Sequence, residues 1–546
     1  MRAGFRISLV KGSVWVAVCM LTACSRGSDT DSAQQSPVTP DSQSQMASLS
    51  TSVCESLLGL QLADVAITEA VALPHIELQA YKPTPRAVRI PAPHCRVAGT
   101  IESAIKFELL LPDAWNGKFL MGGGGGFVGA VVNQAQGGMS AGPTPLERGY
   151  ATVGTDTGHT GTTIDASWAL NDHKAKINFA GRAVHRTVEV SKLIITEYYE
   201  GNIGHSYFLG CSRGGGQAMI SAQRYPQDFD GIISGAPALD WTGLAAGFIS
   251  NQQFVFPDPG RVESPVITQA NRDLLAESLR KSCDAIDGVA DNIINDPRTC
   301  TFDPAELPSC QSGPADDCVT DTQLAAIKAI YAGPNVAGDQ LHPGFPFGGE
   351  TDPWGWDQWI TRAQASTLPP GIPNLHYAFG TEILRYFIFN DPDWSYAGYR
   401  FQDWREKSAG AAALLNATNP DLSEFHDAGG KLILWHGWSD AGLTALDSIE
   451  YYDSVERQDP ALRDYFRMFL MPGVGHCKGG PGPDFVDWIS AIERWVEGDE
   501  PPERLVAAKI DEFMQRPLCP YPQIARYDGS GEPNVHQSFN CVAPGE

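Results

Sequence analysis

The sequence predicts an α/β fold, a parallel sheet with helices on both faces, interrupted by one large insertion. Three observations carry this. Strand-like and helix-like segments alternate up to about residue 239 and again from 429. A glycine-rich turn, Gly210-Cys211-Ser212-Arg213-Gly214, sits between an apolar strand and a helix. Between Asp240 and Ala428 the alternation fails, and proline, glycine and four cysteines accumulate.

The elements follow in order. Residues 97–112 read as strands, with Ile105-Lys106-Phe107-Glu108-Leu109 alternating and Pro112-Asp113 turning the chain. Lys118-Phe119-Leu120-Met121 is a buried strand that runs into the glycines at 122–126, and Tyr150-Ala151-Thr152-Val153 is the next. Residues 182–199 keep a helical period through Val184, Val188, Ile194 and Ile195. Tyr207-Phe208-Leu209 is a strand that turns at Gly210. A helix follows from about Gln217, and Gly231-Ile232-Ile233-Ser234 is again a strand. Strands resume at 431–435 and 466–471, and 485–497 is a closing helix with Trp488, Ile492 and Trp495 on one face. The domain reading is a signal at 1–23, a flexible tether at 24–52, a core built from 53–239 and 429–546, and a lid at 240–428.

The 546 residues, 42% hydrophobic and 19% charged, allow a sizeable core and exclude global disorder. With 39 basic against 64 acidic residues, the net charge of -25 repels phosphate backbones and excludes nucleic acid as the expected partner. Arg2, Arg6 and Lys11 precede a short apolar run, Ser13 to Met20, which suits an export signal and is too short to span a bilayer. The run ends in Leu21-Thr22-Ala23-Cys24, which resembles a bacterial lipobox, so Cys24 is the candidate lipidation site and the only expected tie to a membrane. An ordinary signal cut near Ala23 is the alternative. The stretch from Ser25 to about Ser52 is polar and aperiodic, as a tether would be.

Gly210 to Gly214 fits G-x-S-x-G. A nucleophilic serine must project from a tight, strained turn, and flanking glycines let the backbone close. The helix N-terminus then offers backbone N–H groups to a developing oxyanion. This makes Ser212 the candidate nucleophile. The acid and the base should follow in that order, each after a later strand. Asp440 follows strand 431–435, and His476 follows the strand ending near Met471. His436 is a competing base, but it precedes the acid. The oxyanion hole would combine the Arg213 N–H with one from 122–126, taken as Gly124 or Gly125. Leu443, three residues past Asp440, and His436 are the candidate substrate contacts. The lid aromatics Trp354, Trp356, Trp359, Phe389 and Trp394 could stack on a ring.

Of the 12 cysteines, Cys19 lies in the signal and Cys24 is the lipid candidate, leaving ten, an even number in an exported chain. None has zinc spacing. Simple nesting pairs Cys54 with Cys95, Cys283 with Cys300, Cys310 with Cys318 and Cys519 with Cys541. Cys211 and Cys477 remain, one before the nucleophile and one after the base. If Ser212 and His476 touch, these two lie within disulfide reach, although sequence alone does not fix connectivity.

The Cys-Ser, Asp, His-Cys arrangement resembles the tannase and feruloyl esterase family, as do Gly210 to Gln217, Tyr225-Pro226-Gln227-Asp228-Phe229-Asp230-Gly231 and Phe389-Asn390-Asp391-Pro392. The resemblance runs from about Cys54 to Cys541. It implies a secreted α/β-hydrolase fold with a large lid and a serine carboxylic ester hydrolase acting on small aromatic-acid esters, feruloyl, hydroxycinnamoyl or galloyl. Terephthalate monoester hydrolases belong to the same family, and their cysteine spacing is similar. Asp284 to Ile293 concentrates three carboxylates around Gly288, a pattern suited to a hard cation. The resemblance implies a structural calcium there, held by Asp284, Asp287 and Asp291 and by the carbonyls of Val289 and Ile293. A solvated acidic loop is the alternative. In another functional class, the chain would be a lipid-anchored binding protein on an inactive hydrolase scaffold, against which the intact triad argues.

Overall fold

A computed structural model describes residues 51–79, 87–311, 313–352, 354–361 and 368–544. The expected signal, Cys24 and nearly all of the tether lie outside the described residues.

Nine strands form the main sheet: β1 (Val65–Leu73), β2 (His94–Ile101), β3 (Ile105–Pro112), β4 (Lys118–Gly122), β5 (Ala151–Thr155), β6 (His205–Cys211), β7 (Gly231–Gly235), β8 (Lys431–Gly437) and β9 (Phe466–Met471). Their spatial order is β1-β2-β3-β5-β4-β6-β7-β8-β9. From β5 to β9 every pair is parallel, while β1, β2 and β3 form an antiparallel edge that joins β5 antiparallel. The sheet is therefore mixed rather than parallel throughout, and a short turn joins the antiparallel pair β2 and β3, where a parallel pair would need a crossover. The fold is that of an α/β hydrolase.

Successive residues of the central strands face opposite layers. In β8, Leu432 and Leu434 pack into one apolar cluster with the helix Ala183–Tyr199, while Ile433 and Trp435 pack into another with the helix Trp488–Gly498. Burial on both faces explains why β6 to β9 read as continuous apolar runs.

The helix after β6 spans Arg213–Arg224 and so begins before Gln217. Its three glycines are poor helix formers, and packing overrides that preference. A Cβ at Gly215 would lie 2.3 Å from the Gly235 carbonyl oxygen, and one at Gly216 would lie 2.6 Å from that of Ala238. The helix can dock against the sheet only without side chains there.

Neighbouring strands β7 and β8 bracket the insertion, so the chain leaves the sheet after Gly235 and returns at Lys431. Between them lie helices Trp241–Val255, Gln269–Cys283, Asp321–Ala332, Leu375–Glu382 and Trp404–Leu415. They surround an apolar cluster of their own, which also takes Phe127, Phe179, Ala441 and Leu443 from the segments bearing the sheet. The insertion thereby covers the C-terminal ends of the parallel strands. All five expected disulfides are present: Cys54–Cys95, Cys211–Cys477, Cys283–Cys300, Cys310–Cys318 and Cys519–Cys541. Disulfides at this density belong to an exported protein. No helix among the described residues is long and apolar enough to cross a membrane.

Candidate active site

Ser212 stands between β6 and its following helix with φ 64° and ψ -124°, a conformation costly for a residue with a side chain. Its N–H donates to Gly235 O at 3.0 Å, and its carbonyl accepts from Gly216 at 3.0 Å and Ala238 at 3.1 Å. The surroundings thus hold the strained turn. The flanking glycines are steric requirements. A Cβ at Gly210 would come within 2.6 Å of the Gly214 backbone, and one at Gly214 would lie 2.1 Å from Gln134 Oε1. Gln134 Oε1 also accepts the Cys211 N–H at 2.9 Å.

Asp440 and His476 lie on the loops after β8 and β9. His476 Nδ1 is 2.8 Å from Asp440 Oδ2. Asp440 Oδ1 accepts the N–H groups of Gly442 and Leu443 at 2.8 and 2.9 Å. Burial alone would raise the Asp440 carboxyl, but the His476 charge and hydrogen bonds from His436 and His476 outweigh it and hold the group well below the carboxylate range. Asp440 is therefore an anion that orients an imidazole.

His436 is corrected on both readings given to it. It is fully buried, with Nδ1 2.8 Å from Ser448 Oγ and Nε2 2.9 Å from Leu443 O and 3.3 Å from Asp440 Oδ2. Both ring nitrogens are engaged, so it braces the acid loop and neither abstracts a proton nor meets a ligand. The lid adds a second brace: His376 Nε2 is 2.9 Å from Ala441 O, and its Nδ1 is 3.3 Å from Asn251 Nδ2.

The Cys211–Cys477 bridge joins the two loops, with Cα atoms 6.0 Å apart. No Ser212–His476 hydrogen bond forms among the described residues. Catalytic bonds of this kind often shorten only when substrate binds.

A cleft opens beside Ser212, lined by Gly126, Arg213, Ala238, Trp241, Leu244, Phe248, Trp359, Phe379, Ile383 and Leu443. Leu443 thus stands where it was expected. Of the lid aromatics considered, Trp359 lines the cleft and meets the His476 ring edge-on at 4.8 Å. Gly442 makes room for it, since a Cβ there would lie 2.7 Å from the indole. Trp356 is buried in the lid, and Phe389 and Trp394 stack on each other at 5.9 Å. Gly124 is corrected as an oxyanion donor, because its N–H already reaches Gln217 Oε1 at 3.0 Å.

The tannase and feruloyl esterase family profile matches residues 87–542. The chain belongs to that family. It is a carboxylic ester hydrolase whose substrate is a small ester. It is 33% identical to a mono(2-hydroxyethyl) terephthalate hydrolase of Piscinibacter sakaiensis, over 83% of this chain and 85% of that one. It is 29% identical to feruloyl esterase B of Aspergillus niger, over 82% and 86%. The crystal structure of feruloyl esterase B from Aspergillus oryzae superposes with a TM-score of 0.78 at 26% identity, covering 90% of this chain and all of that one.

In this family member the acidic lid loop packs against the C-terminal segment. Asp291 pairs with Arg516, and Asn295 Nδ2 donates to Ala525 O at 2.6 Å. Asp287 Oδ1 accepts the Val289 N–H at 3.0 Å, and Asp291 Oδ1 accepts that of Ile293 at 3.1 Å. Burial pushes the Asp287 carboxyl up to about 6, with Asp291 and Asp284 adding to the rise. Among the described residues, no three His, Cys, Asp or Glu side chains converge as a metal-holding group. Sequence reasoning missed Gln134 and His376, which carry no motif of their own, and named Gln217 only as the end of the Gly210–Gln217 motif, with no role. Only their contacts mark them.

Proposed function

We propose that this esterase hydrolyses esters of small aromatic acids, feruloyl, hydroxycinnamoyl or galloyl, through an acyl-enzyme on Ser212. The observation that carries the reading is the coincidence of a strained serine, an Asp440–His476 pair and an aromatic cleft. His476 Nε2 takes the Ser212 proton as Oγ bonds to the ester carbonyl carbon. The imidazolium then gives that proton to the departing alcohol oxygen, and water repeats the sequence to release the acid. Arg213 and Gly125 N–H groups would receive the oxyanion. Trp359, Phe379 and Leu443 would flank the acyl ring. Ser212→Ala should lose hydrolysis by several orders of magnitude while folding normally. A folded variant that keeps most of its activity would reject the assignment.

A second reading, hydrolysis of terephthalate monoesters, is favoured by the 33% identity to a protein of that name. Rates on matched ferulate, gallate and terephthalate monoesters separate the two.

Two further parts belong to this proposal. Calcium at 284–293 would be held by Asp284, Asp287 and Asp291 and the carbonyls of Val289 and Ile293, and would stabilise the lid. The raised Asp287 carboxyl supports this, while the Arg516–Asp291 pair already supplies part of the needed positive charge. Lipidation at Cys24 would anchor the exported chain. Mass spectrometry of the mature N-terminus, showing a lipid-modified Cys24 or an unmodified terminus, decides it.

A further inference from the structure

Arg213 has an unusual environment. It is 1% exposed, and among the described residues no carboxylate pairs with it. One terminal nitrogen donates to the carbonyls of Phe179 and Ala180. The guanidinium lies 4.2 Å from the Phe179 ring centroid and 5.3 Å from that of Trp241. Nε and Nη1 have no hydrogen-bond partner. A buried cation without an anion is among the costliest groups a protein can carry, and two carbonyls and two ring faces offset only part of that cost. Burial lowers its pKa to about 9, so the group stays charged at neutral pH.

The position in the chain shows where a compensating anion would arise. Arg213 directly follows Ser212, and its own backbone N–H is one of the two oxyanion donors in the reading above. Bond lengths limit the guanidinium carbon to about 7 Å from that nitrogen, and a hydrogen-bonded oxyanion lies about 3 Å further on. The two charges are therefore within about 10 Å of each other. Trp241, Leu244 and Ala238 line the same cleft as Ser212 and Arg213 and make its surface apolar. At an effective dielectric constant of 20, a unit charge at about 7–10 Å changes a rate by about ten- to fiftyfold. The ester carbonyl of the ground state carries no net charge, so this field acts selectively on the intermediate.

We propose that the Arg213 side chain is a fixed positive charge that stabilises the oxyanion of the tetrahedral intermediate through space, without touching substrate. The inference rests on Ser212 being the nucleophile.

The test compares Arg213→Gln, which removes the charge and leaves a shorter amide donor, with Arg213→Lys, a cation whose pKa the same burial lowers. Two readouts are taken: kcat and KM on an uncharged aryl ester, and the affinity for phenylboronic acid, which forms a tetrahedral anion on a nucleophilic serine. Arg213→Gln should lower kcat and weaken boronate binding by a similar factor, about ten- to fiftyfold, with KM changed by less than about threefold. Arg213→Lys should come closer to wild type than Arg213→Gln on boronate affinity, and more so as pH falls and the buried ammonium is protonated. Equal losses in the two variants would assign the side chain to packing and overturn the proposal, as would unchanged boronate affinity in Arg213→Gln. Failure of Arg213→Gln to fold, with Arg213→Lys folded and active, would assign the charge to stability and overturn it too. An active Ser212→Ala variant would remove the reading of the site and this inference together. An inactive one, with equal losses at Arg213, would remove the inference alone.

Discussion

Replacing both Cys211 and Cys477 with alanine should harm catalysis far more than stability. The bridge closes a separation of 266 residues, for which the chain-entropy relation gives about 5–6 kcal/mol as an upper figure. Unfolding entropy of ~2.1 cal/mol/K per residue, over roughly 490 residues, is about 1 kcal/mol per degree, so the melting temperature should fall by about 5 °C at most. Catalysis depends on the same bridge differently. Ser212 is held by β6 and its helix, and His476 by the loop after β9 and by Asp440. Besides this disulfide, their relative placement relies on packing around a glycine-rich loop, 473–482. A shift of ~1 Å between nucleophile and base can cost ~10²-fold in rate. The double variant should therefore lose about a hundredfold in kcat on an aryl ester, while calorimetry shows a single transition only a few degrees lower. Unchanged kcat in the folded variant would refute the reasoning. A collapse of the melting temperature with kcat per folded molecule preserved would show that the bridge serves stability alone.

Acid should destabilise the lid through two buried histidines. Burial lowers His342 and His376 to about 3, against ~6.5 unfolded, so between those values the unfolded chain binds more protons and stability falls as pH falls. Each contributes about 1.4 kcal/mol per pH unit, and urea titrations of His376→Gln should show a shallower pH dependence than wild type; an unchanged slope would count against this. Gly210→Ala should destabilise by at least about 1–3 kcal/mol, because its Cβ would meet backbone rather than a movable side chain, and a chemical denaturation midpoint checks it. Calcium should raise the wild-type melting temperature and chelator lower it, with both effects lost in Asp287→Ala; indifference of the wild type would remove the calcium proposal.

Much of the site is legible in the sequence because its requirements are local. Gly210 to Gly214 encodes the elbow through steric demands within five residues, and Asp440 and His476 follow strands whose apolar runs are plain. The cysteine pairs could be nested because four of them close short loops. What the sequence left undecided depends on contacts across hundreds of residues. His436 looks like a base or a contact until Ser448 and Leu443 occupy both of its nitrogens. Gly124 is indistinguishable from Gly125 until Gln217 takes its N–H. Gly214 to Gly216 read as a break before a helix, and only the approach of Gly235 and Ala238 shows why they are helical. Of five lid aromatics, burial and orientation select Trp359 for the cleft, since side-chain type reports apolarity but not direction. The sequence by itself determined the strands from β2 to β9, the elbow and the order of the triad, because these follow from local periodicity and backbone sterics, while β1 went unread. Tertiary structure decided which polar atoms were already engaged, and it buries Arg213 without a carboxylate partner among the described residues. Hydrogen-bond saturation and burial depend on the packing of distant segments, which no local pattern encodes.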